Sequence, residues 1–440
     1  MFSKLLVSSR NKSVSKYLHN SGWMLVEHLA KVISGIFVGI YVARYLGPEY
    51  FGVLSYSLAM IAVLFGVAKL GMEPIIVREL TLSPEKYSVI MGTALSILLV
   101  FSLLSYLALV LLLYSIESYE TFLYTSLIGA GIFFQSFLII AYSFQAKLQA
   151  KYSSIAKSIA LSLSGGIKIY LELTSSELIW FVYAYALDTV ILGLSLFFAH
   201  RLLKEPLFIG SFDKSLVKPF LSSSIPMTLA AISYVLYARV DQFMIQALLG
   251  FESLGVYSAA IKLYEGWVLL PYLIIMSLLP ALVKAEKICR SDFEKKMIYL
   301  IALVFWVSAV VFFITYLNSD LIVWLTFGEA FSDSASVLAI LIAAGIFTSL
   351  GTITARYLNV IKKEKKITWI TLSALFINVG LNYWFIPIWG IEGAAYATLL
   401  SMFFAFYLYD MFDPDLRHLF RLKNKGILLI LTLRFKNEKN

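Results

Sequence analysis

Along nearly the whole chain, stretches of about twenty apolar residues alternate with short polar segments, a pattern unlike the narrow apolar stripe of a soluble helix. A bilayer's hydrocarbon core of roughly 30 Å needs about 20 apolar residues in a helix, so each run predicts a membrane span. Breaking the runs at charges and turn residues gives twelve helices: Asn20–Arg44, Gly52–Ile76, Val89–Tyr114, Phe122–Gln145, Ile155–Leu173, Leu178–Ala199, Leu221–Ala247, Gly255–Val283, Met297–Leu317, Ser334–Leu358, Ile367–Ile388 and Glu392–Met411. The late run from Ile427 to Leu433 is too short to cross. The first run follows a basic, Ser-rich leader with Lys4, Arg10, Lys12 and Lys16. It is too long for a signal-peptide core, lacks a small-residue cleavage site and leads straight into another span, so it predicts a retained first helix.

Composition agrees with that reading. Hydrophobic residues make up 60% of the chain and charged residues 14%, against roughly 45–50% and about 25% in soluble domains, an excess that one soluble core cannot hide. Lysine and arginine set the orientation. The N-terminus and every second loop hold Arg78 and Lys86, Lys147 to Lys157, Arg201 to Lys218, Lys284 to Lys296, Lys362 to Lys366 and a basic tail from Arg417 to Lys439, whereas Ser115–Thr121, Thr174–Glu177 and Asn318–Asp333 contain neither residue. By the positive-inside rule both termini are cytoplasmic. Acidic residues show the opposite bias, with Glu49, Glu117, Glu177, Glu252, Asp320, Glu329 and Asp333 outside. Cytoplasmic anchoring accounts for most of the net charge of +9, which therefore calls for no nucleic acid. One cysteine, Cys289, excludes an internal disulfide, and with four scattered histidines no metal centre is expected.

The chain repeats itself once. Leu46-Gly47-Pro48-Glu49-Tyr50-Phe51-Gly52-Val53-Leu54-Ser55 matches Leu249-Gly250-Phe251-Glu252-Ser253-Leu254-Gly255-Val256-Tyr257-Ser258 in its Leu, Gly, Glu, Gly, Val and Ser, at an offset of 203 residues. Both copies join the first two helices of a half. An even number of helices separates them, so the halves are parallel repeats about an axis along the membrane normal. The repeat divides the chain into a six-helix bundle over 1–205, a cytoplasmic linker over 206–220, a second six-helix bundle over 221–411 and a basic cytoplasmic tail over 412–440. The motif itself reads as a tight helix-to-helix turn, with glycines for backbone reasons.

Several stretches are similar to a known family. Ala43 to Gly52, Gly71-Met72-Glu73, Arg78-Glu79, Arg239-Val240-Asp241-Gln242, Gly255 to Ala260 and Glu265-Gly266-Trp267 resemble the polysaccharide repeat-unit flippases of the multidrug/oligosaccharidyl-lipid/polysaccharide exporter superfamily, which move O-antigen or capsule units. The resemblance implies an all-α membrane protein with two six-helix bundles around a central cavity. It also implies an undecaprenyl-pyrophosphate-linked oligosaccharide as substrate and alternating access between the leaflets, with a polysaccharide polymerase and chain-length machinery as partners beside the membrane lipids.

Ionisable residues inside spans are costly and tend to mark a pathway. Helix one carries Glu27, His28 and Lys31, helix two Lys69 and Glu73, helix five Lys168, helix six Asp188, helix seven Arg239 and Asp241, and helix eight Lys262 and Glu265. The i,i+4 spacing of Glu27 and Lys31 and the i,i+3 spacing of Lys262 and Glu265 allow pairing on one helix face. Arg44, Lys168 and Arg356 lie near helix ends, where snorkelling explains them. Lys31, Lys69, Arg239 and Lys262 are the candidate substrate-binding cations, suited to a pyrophosphate. Glu27, Asp188, Asp241 and Glu265 are either structural partners or proton or sodium sites. Tyr41, Gln135, Tyr234, Tyr237, Tyr257, Tyr264 and Asn378 are candidates for a sugar path, and Pro226, Pro271 and Pro280 for kinks or hinges.

Two alternatives remain at this level. A cation-coupled multidrug exporter of the same superfamily would share the helix count but is expected to carry fewer internal cations. A membrane glycan polymerase or glycosyltransferase needs a large outer loop or a cytosolic nucleotide-sugar domain, and neither is present in the pattern. No phosphate-binding Gly-rich loop ending in Lys-Ser/Thr occurs, so no nucleotide cofactor is expected, and the chain reads as a transporter, not an enzyme.

Overall fold

The computed structural model describes residues 12–437, with side-chain surroundings for 20, 22–286 and 288–429; Lys4 and Arg10 of the leader and Lys439 of the tail lie outside them. Among the described residues every regular element is helical. Eight helices are long and apolar enough to cross a membrane. Among the described residues four of these contain an internal break, and they are consistent with an all-α polytopic protein of about twelve spans. Three of the breaks fall at glycines whose positive φ ends one helix and starts the next, Gly47 in α1 (Lys12–Ala68), Gly250 in α9 (Lys214–Ile288) and Gly390 in α12 (Lys365–Phe403), and the fourth falls at Asn318. Pro226, Pro271 and Pro280 do not break α9, whose non-helical residue is Gly250.

The intervening elements are α2 (Glu73–Leu82), α3 (Tyr87–Ile116), α4 (Tyr119–Gly129), α5 (Ile132–Gln135), α6 (Leu138–Ala146), α7 (Ala150–Leu173) and α8 (Leu178–Leu202). After α9 come α10 (Arg290–Thr326), α11 (Ser334–Val360), α12, a π-helical turn at Phe404–Leu408, α13 (Tyr409–Phe412) and α14 (Arg417–Asn437).

The second expected span does not run to Ile76. It ends at Ala68, and Leu70 and Gly71 take positive φ before α2 begins at Glu73. A Cβ on Gly71 would lie 2.7 Å from that of Met227, so this turn packs against the start of α9. The expected linker is partly helical, because α9 already starts at Lys214. Its remaining loop is held down: Phe208 is buried, the Asp213 amide donates to Thr93 Oγ1 at 2.9 Å, and a Cβ on Gly92 would lie 1.9 Å from Ser211 O.

Contacts divide the chain into two compact units, one of residues 1–42 and 57–235 and one of residues 43–56 and 236–440. The core of the first gathers Met72, Ile76, Met91, Ile140, Phe144 and Leu196. That of the second gathers Ile301, Val304, Leu350, Leu358, Leu416 and Leu419.

Within the second unit the two copies of the repeat cross each other reciprocally. A Cβ on Gly52 would lie 1.8 Å from Phe251 O, and one on Gly255 would lie 1.8 Å from Pro48 O. Each motif glycine thus admits the backbone of the other copy at the equivalent position. The motif is more than a turn, because Gly47 and Gly250 make the break while Gly52 and Gly255 make the crossing.

The segment expected to be a basic cytoplasmic tail contains helix α14, packed on α10. Trp306 Nε1 donates to Ile427 O at 3.1 Å, and a Cβ on Gly426 would lie 2.7 Å from Ile301 Cγ2. Lys423 is fully buried; its ammonium meets Asp410 at 2.7 Å, Thr354 Oγ1 at 2.7 Å and the Phe406 carbonyl at 2.7 Å. That carbonyl lies in the π-helical turn, where the widened ladder leaves oxygens for side chains.

Candidate functional site

The expected cations divide two and two, Lys31 and Lys69 in the first unit, Arg239 and Lys262 in the second. In the first unit, α7 is pinned to α1 by Asn20, whose side-chain oxygen accepts the Ala150 amide at the start of α7 at 2.7 Å. This brings Lys157 to Glu27 at 2.8 Å, and Ser154 adds a hydroxyl to the same carboxylate at 3.0 Å. Glu27 therefore pairs across two helices, not with Lys31 along one. Lys31 and Lys69 make no ion pair among the described residues.

Lys69 sits in the turn between α1 and α2, where Lys31, Glu73 and Lys157 are its electrostatic neighbours. It borders a narrow recess shared with Ser102, Gln135, Ser136 and Tyr142. The broken path α4–α5–α6 sets Gln135 into that recess, with its side-chain oxygen buried and unpartnered among the described residues. Gln135 is thus the sugar-path candidate that lies beside a cation.

Lys168 does not snorkel. It is 4% exposed, donates to Asp188 at 2.6 Å and lies 3.7 Å from the Tyr185 ring centroid, while Ser164 donates to the same aspartate. Asp188, whose side chain is 32% exposed, is therefore the anionic half of a partly buried ion pair.

In the second unit Glu265 pairs with Arg239 at 3.0 Å, across the two parts of α9, and not with Lys262. Lys262, half-buried, makes no ion pair among the described residues. The non-helical Gly250 lies between the two residues, so the pair joins segments on opposite sides of the break.

Asp241 lies at the centre of a buried polar cluster. Its carboxylate accepts hydrogen bonds from Tyr257 at 2.8 Å, Asn382 at 2.6 Å and Thr398. Asn382 donates also to Asn378 Oδ1 at 3.0 Å, and Asn378 donates to Thr398 at 3.3 Å. Tyr257 and Asn378, expected along a sugar path, are instead enclosed here at 0% and 1% exposure. No lysine or arginine pairs with Asp241 among the described residues, and Asn382 Oδ1 has no partner among them. A carboxylate enclosed without a cation is costly unless a proton or an ion neutralises it. Three donors, the Tyr257 and Thr398 hydroxyls and the Asn382 amide, point at the carboxylate and offset part of that cost.

No group of three or more His, Cys, Asp or Glu residues suited to a metal ion occurs among the described residues. The sequence reading missed the Asp410–Lys423 pair, because its partners sit on either side of what looked like a span's end.

The model of a family described as polysaccharide biosynthesis protein matches residues 17–286. The chain belongs to that family. A Shigella flexneri protein named as an O-antigen transporter is 22% identical over 410 residues, covering 86% of this chain and 93% of its own. Among solved structures, an inward-facing multidrug resistance transporter of the MATE family in the MOP superfamily superposes with a TM-score of 0.70 at 17% identity, over 89% of this chain and 95% of that one. The lipid II flippase MurJ in an inward closed conformation gives 0.67 at 16% identity, over 93% and 92%. The expected superfamily fold is therefore found, whereas the roles of individual residues rest on the geometry above.

Proposed function

We propose that this chain is a flippase which carries undecaprenyl-pyrophosphate-linked oligosaccharide units from the cytoplasmic to the periplasmic leaflet by alternating access, for O-antigen or another surface polysaccharide. The observation that carries this reading is the set of unpaired lysines. Lys157, Lys168, Arg239 and Lys423 each have a carboxylate, but Lys31, Lys69 and Lys262 have none within 4 Å among the described residues. A lysine at a span's centre costs about 2.5–3.5 kcal/mol on insertion scales, so Lys31 and Lys262, left without a carboxylate inside helices, call for an anionic cargo, and Lys69 in the α1–α2 turn adds a third cation near Lys31. A pyrophosphate supplies it, with Arg239 able to exchange its grip on Glu265 for phosphate oxygens. The lipid tail stays in the bilayer while Gln135 and neighbouring hydroxyls meet the sugars. The membrane family, the O-antigen relative and the flippase fold support this cargo.

Energy enters through Asp241, neutralised by a proton or sodium ion drawn from the gradient. The multidrug exporter reading shares that ion site but leaves the three lysines without a use. The delivered unit would then meet a polymerase and its chain-length machinery on the outer side, with both termini of the chain in the cytoplasm of the inner membrane.

The test is a deletion strain complemented with Lys31→Ala, Lys69→Ala or Lys262→Ala. Each variant should reach the membrane and leave lipid-linked oligosaccharide on the cytoplasmic leaflet. Losing one charge-assisted hydrogen bond of about 1.5–3 kcal/mol should slow export about tenfold or more. Normal export by all three would refute an anionic cargo, and altered drug sensitivity with unchanged lipid intermediates would favour the exporter.

A further inference from the structure

At the lysine-poor end of the second unit the chain leaves α10, turns at Gly328 and passes through a single helical turn at Glu329–Phe331 before α11. A basin of about 370 Å³ opens there, lined by Asp320, Leu321, Trp324, Gly328, Glu329 and Ser332. That volume lies near the lower end of the roughly 300–1,000 Å³ range of small-molecule sites. Gly328, with φ of 87°, leaves a floor without a side chain, and a Cβ there would lie 3.8 Å from Arg44 Nε, so a guanidinium stands at the rim.

The accessible wall of the basin is almost wholly apolar, and the polar groups at its edge are not used up by one another. Arg44, Asp320 and Glu329 form no ion pair among the described residues. The Trp324 indole is 59% exposed and stacks on no other ring among them. The frame around them is held rigidly. Phe331 is fully buried and meets Phe327 at 5.5 Å and Phe51 at 6.1 Å between ring centroids, and Ser334 donates to Val256 O at 2.6 Å. The backbone frame is thus in place before binding, while the exposed side chains are ordered by the ligand at an entropic cost.

We propose that Arg44, Asp320, Trp324, Glu329 and Ser332 form a carbohydrate-binding subsite that holds one pyranose ring of the glycan at the outer face. The inference rests on the flippase reading for the origin of that glycan. A pyranose offers an apolar face of axial C–H groups and an equatorial belt of hydroxyls. Trp324 supplies a flat apolar surface for the first, since an indole joins a large apolar area to a single polar edge. Asp320 and Glu329 accept from hydroxyls through charge-assisted bonds, Arg44 donates to them, and Ser332 does both. A phospholipid headgroup fits less well, because its phosphate would face two carboxylates and one guanidinium.

The full chain in lipid nanodiscs is titrated with free N-acetylglucosamine, galactose, rhamnose and glucuronic acid, and binding is read by saturation-transfer NMR, with glycerophosphoethanolamine as the headgroup probe. At least one sugar should bind saturably. Asp320→Asn with Glu329→Gln should weaken it about tenfold or more, the loss expected for one hydrogen bond to a charged group, and Trp324→Ala should weaken it by removing the apolar face on which the ring stacks. All three positions are at the surface, and an unchanged unfolding transition confirms folding. No saturable sugar binding, equal binding in the variants, or binding of glycerophosphoethanolamine alone that Trp324→Ala removes would each overturn the subsite. Movement of lipid-linked oligosaccharide by the wild-type protein is measured in parallel. Its presence without sugar binding rejects the subsite alone, whereas its absence rejects the flippase reading beneath it.

Discussion

The reciprocal crossing of the repeat makes a quantitative prediction. In Gly255→Ala the new methyl would stand 1.8 Å from Pro48 O, and in Gly52→Ala it would stand 1.8 Å from Phe251 O. Both obstacles are backbone carbonyls, so neither can move aside by changing rotamer. Reaching ordinary contact near 3.4 Å requires the two segments to part by about 1.6 Å. Overpacking of this kind costs about 1–3 kcal/mol. The two methyls demand the same opening, so once the segments have parted for one, the second meets less resistance. The double variant should therefore lose clearly less stability than the sum of the singles, a coupling measured by a double-mutant cycle. Gly166, with nothing within 4 Å of its Cβ position and inside α7, is the control. Gly166→Ala should be neutral or stabilising by about 0.5–1 kcal/mol through helix propensity. The assay is reversible unfolding in mixed micelles for the four variants. Singles as stable as wild type, or strictly additive losses, would show that the segments do not touch as described.

Asp241→Asn keeps the shape of the Asp241 cluster and should fold, but flipping driven by an imposed proton or sodium gradient should fall to the ungraded rate; an undiminished response to both gradients would exclude Asp241 as the coupling site. Lys423→Met leaves Asp410 buried without its cation and should destabilise by about 3–5 kcal/mol, whereas Lys423→Met with Asp410→Leu should recover most of the loss, read from the same unfolding curves. Hydrogen bonds from the Lys363 ammonium, then that of Lys366, hold the Asp415 carboxyl below the usual carboxylate range. A depressed acid stabilises above its unfolded value of about 3.9 and loses that contribution as pH falls through the folded value, so protection of 363–366 and 413–417 from hydrogen exchange should fade below about pH 4, and Asp415→Asn should show no such dependence.

Much of the fold was legible because a span is a long signal. Tyr87–Ile116 and Leu178–Leu202 were placed to within a few residues by flanking charge, and the helix breaks at Gly47 and Gly250 follow from the repeated motif. The break at Lys69–Met72 was not, since it lies inside an apolar run with Gly71 as its single turn residue. Helix α14 was also missed. Lys423 and Lys425 make that segment look solvated, and the burial of Lys423 depends on Asp410, a partner that no local periodicity reveals. The charged residues of the site were found by type, but several were given the wrong partners. Spacing along one helix favoured Glu27 with Lys31 and Lys262 with Glu265, while packing between segments gave Glu27 to Lys157 and Glu265 to Arg239. Those exchanges leave Lys31 and Lys262 unpaired, which raises their weight as cargo-binding groups.

The central claim is that unpaired lysines receive an anionic, lipid-linked glycan. The most direct measurement is the rate at which purified protein in proteoliposomes brings a lipid-pyrophosphate oligosaccharide within reach of a membrane-impermeant glycosidase. Wild-type protein should accelerate this over empty vesicles, and the combined Lys31→Ala, Lys69→Ala, Lys262→Ala variant, folded and equally inserted, should return it to the background rate. A triple variant that flips the oligosaccharide as fast as wild type would contradict the account.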